Sequence, residues 1–417
     1  LGGKNGAVRR QRYLAGRANK QLDPEIIFKR GNGPRDGSGR HIELAGNLSE
    51  VALLGGHQED FQGFMIVHLY CFKNRNSLER NIAILRPNQP EYISSHRRTS
   101  QRRKARAMIK DIKGLHHVTS MASDAQQNNR FFTDTLGLRR VKKTVNFDDP
   151  SVYHLYYGDE NGTPGTVMTY FPFPHMMIGR PGVGEVGETQ FSIPKGALAF
   201  WKDRLIAQGV GGIQTDTVFG ANRLRFTGPD GDGLALVEAA DDVRAPWLAE
   251  GISEANAIRG FSGARFNLHD TAATEELLRF MGYERSEIEG DVTRFIIPGG
   301  NGADTIDLAA LPKTPFARQG AGSVHHIAFA VENREKQLEV RKVLMDTGYQ
   351  VTPVIDRDYF WAIYFRTPGG ILFEIATNEP GFDRDEDTAH LGEALKLPNR
   401  YEPFRNKIEA NLAPLAA

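Results

Sequence analysis

One cysteine, Cys71, among 417 residues leaves no partner for an internal disulfide and excludes a cysteine-rich zinc site. Long apolar runs are missing too. No stretch approaches the ~18 residues that a membrane-spanning helix requires, and no apolar signal segment opens the chain. A large excess of charge of one sign is absent, the formal net charge being +1. What is present, 40% hydrophobic and 25% charged residues, is an ordinary globular balance that rules out a collagen-like or wholly disordered chain. The expected location is the cytoplasm, with no membrane partner. The length exceeds the ~100–200 residues typical of one domain, so more than one unit is expected.

The small net charge hides a split. Residues 1–107 carry 20 Lys and Arg against 9 Asp and Glu, which leaves the remainder acidic. Apart from the apolar run FQGFMIVHLYCF (61–72), this segment shows little periodicity, and it ends in the basic run HRRTSQRRKARA. Clustered Arg and Lys could neutralise phosphates as a nucleic-acid-binding arm. The alternative is a basic, disordered extension. Ordered patterning starts abruptly at MIKDIKGLHHVT, with a fresh methionine at Met108. The expectation is that Met108 is the natural start, that residues 1–107 are an extension outside the native protein, and that no nucleic acid is bound.

From residue 113 the chain repeats itself four times. Each copy reads strand, helix, glycine-containing turn, then strands. Unit one runs from GLHHVTSMA (114–122) through a helix near FFTDTLGL (131–138) to TPGTVMTYF (163–171). Unit two has TQFSIP (189–194), LAFWKDRLIAQGV (198–210) and GLALVEAA (233–240). Unit three has GFSGARFNL (260–268), EELLRFMGY (275–283) and TIDLAAL (305–311). Unit four has SVHHIAFAV (323–331), EKQLEVRKVLMDTGY (335–349) and GGILFEIAT (369–377). The spacing of Leu338, Val340, Val343 and Leu344 predicts an amphipathic helix. The pattern predicts an α+β fold of four tandem βαβββ units, paired into two half-barrel domains. In chain order these are residues 108–250 (units one and two) and 251–378 (units three and four), with a tail at 379–417 ending in a helix near 401–415. The Gly/Pro-rich stretch 171–188 is expected to arch over a cleft.

Eight histidines follow residue 107, and four of them form two HH pairs, His116–His117 and His325–His326. Each pair lies on the first strand of its unit, where alternation sends neighbouring side chains to opposite faces. Unit two has Gln190-Phe191 near that place and unit three Ser262-Gly263. Glu374 interrupts the apolar run ILFEIAT, and an unpaired carboxylate on a buried strand is costly. Counting from the preceding glycine, the other units offer Thr169, Val237 and Ile306 there, so the strand can form without a carboxylate. Two imidazoles and one carboxylate are the facial set that holds Fe(II) with open positions; Mn(II), or zinc in a hydrolytic site, suits the same set. Ordinary core packing of single histidines is the competing explanation.

Residues 108–417 resemble the vicinal oxygen chelate superfamily, the glyoxalase and ring-cleaving dioxygenase group, and within it enzymes of hydroquinone 1,2-dioxygenase type. The motifs that carry the resemblance are GLHHVTSMASDAQQNNRFFTDTLGLRRVKKTVNFDD, YHLYYGDENGTPGTVMTYFP, SVHHIAFAV and DRDYFWAIYFRTPGGILFEIATNEPGF. It implies His117, His326 and Glu374 as metal ligands, with Fe(II) the expected metal and Mn(II) also suited. It implies catalytic or substrate-contact roles for His116, Thr119, His325, Arg357 and Tyr364. His325 or Tyr364 could act as base, and His116 or Arg357 could stabilise negative charge. The implied activity is extradiol-type ring cleavage of a hydroquinone- or catechol-type diol by O₂. A glyoxalase-like lyase or isomerase is the rival enzyme, expected to use a fuller ligand set. A metal-free aromatic- or antibiotic-binding protein of the same fold is the non-enzymatic rival. A homo-oligomer is compatible with the sequence, which does not set its size. A chain shortened to residues 108–417 is expected to stay soluble and active, and mass spectrometry of the native protein to find no peptides from residues 1–107.

Overall fold

The computed structural model describes residues 108–415; the expectations about residues 1–107 lie outside them. Sixteen strands and the helices between them repeat one order four times. Unit one is β1 (Leu115–Ala122), α1 (Ala125–Arg130), β2 (Arg139–Asn146), β3 (Asp149–Gly158) and β4 (Val167–Pro172). Unit two is β5 (Glu185–Pro194), α2 (Leu198–Ala207), β6 (Gly211–Val218), β7 (Ala221–Thr227) and β8 (Gly233–Ala239). Unit three is β9 (Gly260–Leu268), α3 (Ala272–Phe280), β10 (Glu284–Glu289), β11 (Val292–Ile296) and β12 (Thr305–Ala310). Unit four is β13 (Val324–Val331), α4 (Arg334–Asp346), β14 (Ile355–Asp356), β15 (Phe360–Arg366) and β16 (Leu372–Pro380). The tail closes with α5 (Arg405–Asn411).

Local chemistry explains where the helices sit. Asp124 caps α1 by accepting from the Gln127 N–H at 2.7 Å, and Asn333 caps α4 by accepting from Lys336 N–H at 3.0 Å. The helix expected over 131–138 therefore starts earlier, at its cap, and residues Phe131–Thr135 continue it as a π-helical turn. In α4, Val340 and Leu344 are buried, while Leu338 stays exposed.

The strands assemble into two eight-stranded sheets, ordered β14-β15-β16-β13-β1-β4-β3-β2 and β10-β11-β12-β9-β5-β8-β7-β6. This corrects the division at residue 250. Unit one shares a sheet with unit four, and unit two with unit three. The antiparallel seams are β1 against β13 and β5 against β9. The reason lies in the connections. The stretches 173–184 and 311–323 carry the chain from one sheet to the other and back. They run side by side through bridges Ile178–Ala321, Arg180–Arg318 and Val183–Phe316. The stretch expected to arch over a cleft is thus half of a paired crossover, and its last residues, from Glu185, already belong to β5.

The main core lies on the helix-bearing faces of both sheets, where Phe266 meets Phe373 at 5.6 Å and Tyr283 meets Phe329 at 6.0 Å between ring centroids. A second cluster covers the other face of the first sheet. Tyr156, Val167, Ala328 and Ala362 pack there with the tail residues Phe382, Leu391, Leu397, Ile408 and Leu412. Lys142, fully buried on β2, fastens the tail through Asp385, at 2.7 Å, and Glu386. Among the described residues no helix is long and apolar enough to cross a membrane.

Removing one partner of a buried pair strands the other. Lys142→Ala is therefore expected to destabilise the protein by about 3 kcal/mol and to make residues 381–412 a preferred site of limited proteolysis. Chemical denaturation and peptide mapping check both.

Candidate metal centre

The seam between β1 and β13 brings units one and four together. Antiparallel register sets Thr119 opposite His326 and His117 opposite Ala328, and parallel pairing of β13 with β16 sets Glu374 beside Ala328. The ligand-capable atoms of His117, His326 and Glu374 all lie within 4.8 Å of one another, the one such group among the described residues. His326 Nε2 is 2.9 Å and His117 Nε2 3.5 Å from Glu374 Oε2, and the two Nε2 atoms are 3.3 Å apart. All three residues are buried, Glu374 completely.

The paired histidines do not split between faces as simple alternation predicts. The seam has register shifts between Leu115 and His117 and between Thr119 and Ser120, the second skipping His325 on the partner strand. Each irregularity thus falls on the first member of an HH pair, and a β-bulge re-aims the side chain it carries. As a result His116 Nδ1 lies 2.9 Å from His117 Nδ1, and His325 Nδ1 lies 2.8 Å from His326 Nδ1. His116 Nε2 also reaches the Thr377 carbonyl at 3.0 Å, which can only accept, so Nε2 carries the proton. Its Nδ1 then accepts from His117 Nδ1–H, and His117 Nε2 is left with its lone pair facing the centre. A ligand imidazole commonly has its second nitrogen fixed in this way. The His325–His326 pair repeats the Nδ1–Nδ1 contact without a carbonyl at His325 Nε2; a metal on His326 Nε2 would leave the proton of His325 on its Nε2.

Electrostatics agree with this assignment. Burial, then the neighbouring His117, lowers His116 to about 3, and burial and His326 lower His325 to about 3, so both stay neutral. Burial also lowers His326, with Glu374 opposing. Burial raises the Glu374 carboxyl, and only positive charge or donated protons at His117 and His326 offset this and hold it low, the place a cation would take once those imidazoles present lone pairs. Both Glu374 oxygens are nonetheless buried without a hydrogen-bond donor in proper geometry. A buried carboxylate without a donor in proper geometry, with two imidazole Nε2 atoms beside it, fits a divalent cation.

Of the other candidate residues, Tyr364 faces Glu374 across β15 and β16, and its ring lies 5.6 Å from that of His326. Arg357 Nε donates to the Tyr364 hydroxyl at 3.2 Å and its Nη1 to Asp148 at 3.2 Å. The Thr119 hydroxyl lies 2.9 Å from that of Thr169. Sequence reasoning gave no role to Phe360, whose ring centroid lies 5.0 Å from that of His117 and 5.3 Å from that of His116. It also left out His154 and Tyr156, which alternation on β3 puts on one face.

The second sheet shows what the same positions hold without such a centre. Glu374 pairs with Ala328 and Tyr364; by the same register Asp307 pairs with Arg265 and Arg294. Asp307, not Ile306, is therefore the counterpart of Glu374, because the glycine-rich turn before β12 shifts the count by one. Arg294 makes two 2.8 Å bonds to Asp307, and Arg223 bonds Glu188 at 2.8 Å.

Known proteins share this fold. Residues 260–375 match the Glyoxalase/Bleomycin resistance protein/Dioxygenase superfamily, and the chain belongs to that superfamily. It is 44% identical over 310 residues to "Putative ring-cleaving dioxygenase MhqO" of Bacillus subtilis (strain 168), covering 74% of this chain and 98% of that one. It is 32% identical over 307 residues to the chlorohydroquinone/hydroquinone 1,2-dioxygenase of Sphingobium indicum, covering 71% and 95%. A crystal structure of a Bacillus subtilis protein, described as a putative dioxygenase, superposes with a TM-score of 0.71 at 43% identity over 74% of this chain and 98% of that one.

Glu374→Gln separates a metal-binding from a purely structural carboxylate. The variant is expected to melt at or above the parent without metal, since the cost of burying a charge disappears. Added Fe(II) or Mn(II) should raise the melting temperature of the parent but not of the variant.

Proposed function

We propose that the protein is a metal-dependent, extradiol-type ring-cleaving dioxygenase that inserts O₂ into a hydroquinone- or catechol-type diol. His117, His326 and Glu374 would hold Fe(II), with Mn(II) an alternative the same ligands accept. The observation that carries this reading is the buried Glu374 carboxylate, without a donor in proper geometry, whose Oε2 lies 3.5 and 2.9 Å from the Nε2 atoms of His117 and His326. The names of the relatives point to the same chemistry. A glyoxalase-like isomerase, expected to use a second carboxylate ligand, is less well supported by a group of two histidines and one glutamate.

A divalent metal held by His117, His326 and Glu374 would supply Lewis-acid and redox chemistry for the reaction of a diol with O₂. The protein's own groups would then hold the diol as an anion. A phenol ionises near 10 in water, and a nearby divalent charge favours the ionised form. His325, with Nδ1 engaged by His326, would present Nε2–H as a donor. Burial and the Glu374 charge push the Tyr364 phenol well above its ordinary value, so its O–H would also donate. On this reading both residues stabilise oxyanions instead of serving as the base. Arg357, anchored by Asp148, would fix the Tyr364 oxygen from behind. His116 would act through His117, by setting its tautomer.

His117→Ala and His326→Ala are expected to abolish tight metal binding. His325→Ala should keep its metal and lose rate, on the order of 10²–10³-fold for one lost donor to a developing charge. His116→Ala should weaken metal affinity by roughly 10–100-fold, as loss of the group that orients a ligand does. Metal analysis and O₂ uptake with a panel of hydroquinones and catechols check these outcomes. Equal metal loss in all four variants would count against the division of roles.

A further inference from the structure

On the unit-one side of the cleft, four buried polar side chains form one line. The Tyr156 hydroxyl lies 2.7 Å from His154 Nδ1, His154 Nε2 lies 2.8 Å from the Thr169 hydroxyl, and the Thr169 hydroxyl lies 2.9 Å from that of Thr119. The register explains why they meet. Thr169 pairs with Thr119 on one side and Tyr156 on the other, the places that Glu374, Ala328 and Tyr364 hold in unit four. Thr119 is fully buried, two residues from His117 and opposite His326.

Such a line can be polarised in two ways. Run inward, Thr119 donates to Thr169, Thr169 to His154, and His154 Nδ1–H to Tyr156. The phenol proton must then find an acceptor, and among the described residues the Tyr156 oxygen has no partner except His154. Its ring is surrounded by those of Phe382 at 5.1 Å and Tyr359 at 6.4 Å, in a fully buried setting. A buried hydroxyl proton without an acceptor is costly. Thr119 is as buried as Tyr156, so what separates the two directions is which end a ligand oxygen at the centre can reach. Run outward, Tyr156 donates to Nδ1, Nε2–H donates to Thr169, and Thr169 donates to Thr119. Every proton is then engaged except the last, on Thr119.

We propose that Tyr156 and His154 are positioning residues that polarise this line outward, making Thr119 an obligate hydroxyl donor to an anionic oxygen of a phenolate-type ligand at the His117–His326–Glu374 centre. This rests on the reading of that centre as a metal-bound diol site. His154 suits the task because burial lowers its basicity well below the usual imidazole value and keeps it neutral, with one donor and one acceptor.

Two measurements on the full chain test it. In protein labelled with ¹⁵N-histidine and loaded with diamagnetic zinc, the His154 signals, identified by their loss in His154→Gln, should report the Nε2–H tautomer; an Nδ1–H tautomer overturns the proposal. In Fe(II)-loaded protein without O₂, affinity for the 4-nitrocatechol anion is read by absorbance. Thr119→Val is expected to weaken it on the order of tenfold and Thr119→Ser to restore it. Tyr156→Phe should weaken it several-fold in the parent and have no effect in a Thr119→Val background, because it acts through Thr119. A Tyr156→Phe effect of equal size in both backgrounds overturns the proposal. This pattern in a protein that consumes no O₂ with any diol would support it and sink only the dioxygenase reading.

Discussion

The antiparallel seam between β1 and β13 is the constraint on which the rest of the site depends. That ladder brings together side chains 209 positions apart in sequence. A simple ladder would have sent one histidine of each pair through the sheet into the helix-side core. The two bulges instead keep both imidazoles of each pair on speaking terms, one nitrogen of the first against one of the second. Each of those contacts couples the tautomers of a pair, and at His116 the Thr377 carbonyl fixes them, so backbone irregularity there decides that the His117 Nε2 lone pair faces the centre.

The second sheet is built by the same rules around different chemistry. Asp307 stands where Glu374 stands, yet by register the places of His117 and His326 are held by Glu188 and Gly263. A Cβ at Gly263 would lie 2.1 Å from the Thr305 carbonyl oxygen, so no side chain larger than hydrogen fits without a shift. Guanidinium groups of Arg294 and Arg223 neutralise the buried carboxylates there. A buried acid on this fold thus has two solutions, an organic cation supplied by the neighbouring strand or a pair of imidazoles that leaves the charge for something else to balance.

Much of this was legible in the residues. Four repeats of strand, helix and strands were visible from periodicity and glycine spacing, and two HH pairs with an isolated Glu374 singled out three side chains that lie together in space. Which units share a sheet was not legible. Similar repeats can pair in either order, and the deciding feature, two crossovers running side by side, involves residues with no strand pattern. The bulges were hidden for a similar reason: alternation is a rule about ladders, and the exception depends on the partner strand. Asp307 was missed because counting from a glycine assumes turns of equal length. His154 was visible as one histidine among eight, but its meaning depends on Tyr156, Thr169 and Thr119, and only register relates these across strands.

The nested arrangement of units, with two and three enclosed by one and four, also sets an order of events during synthesis. The inner seam, exemplified by Thr189 against Ala264, joins residues that leave the ribosome close together. The outer seam must wait for β13 and then for β16. At roughly 5–20 residues per second, β1 spends on the order of 10–40 s as an unpaired strand edge carrying His116 and His117. The inner sheet can therefore be complete before the outer one begins to close, and the part of the molecule with the most exacting geometry is the last to assemble.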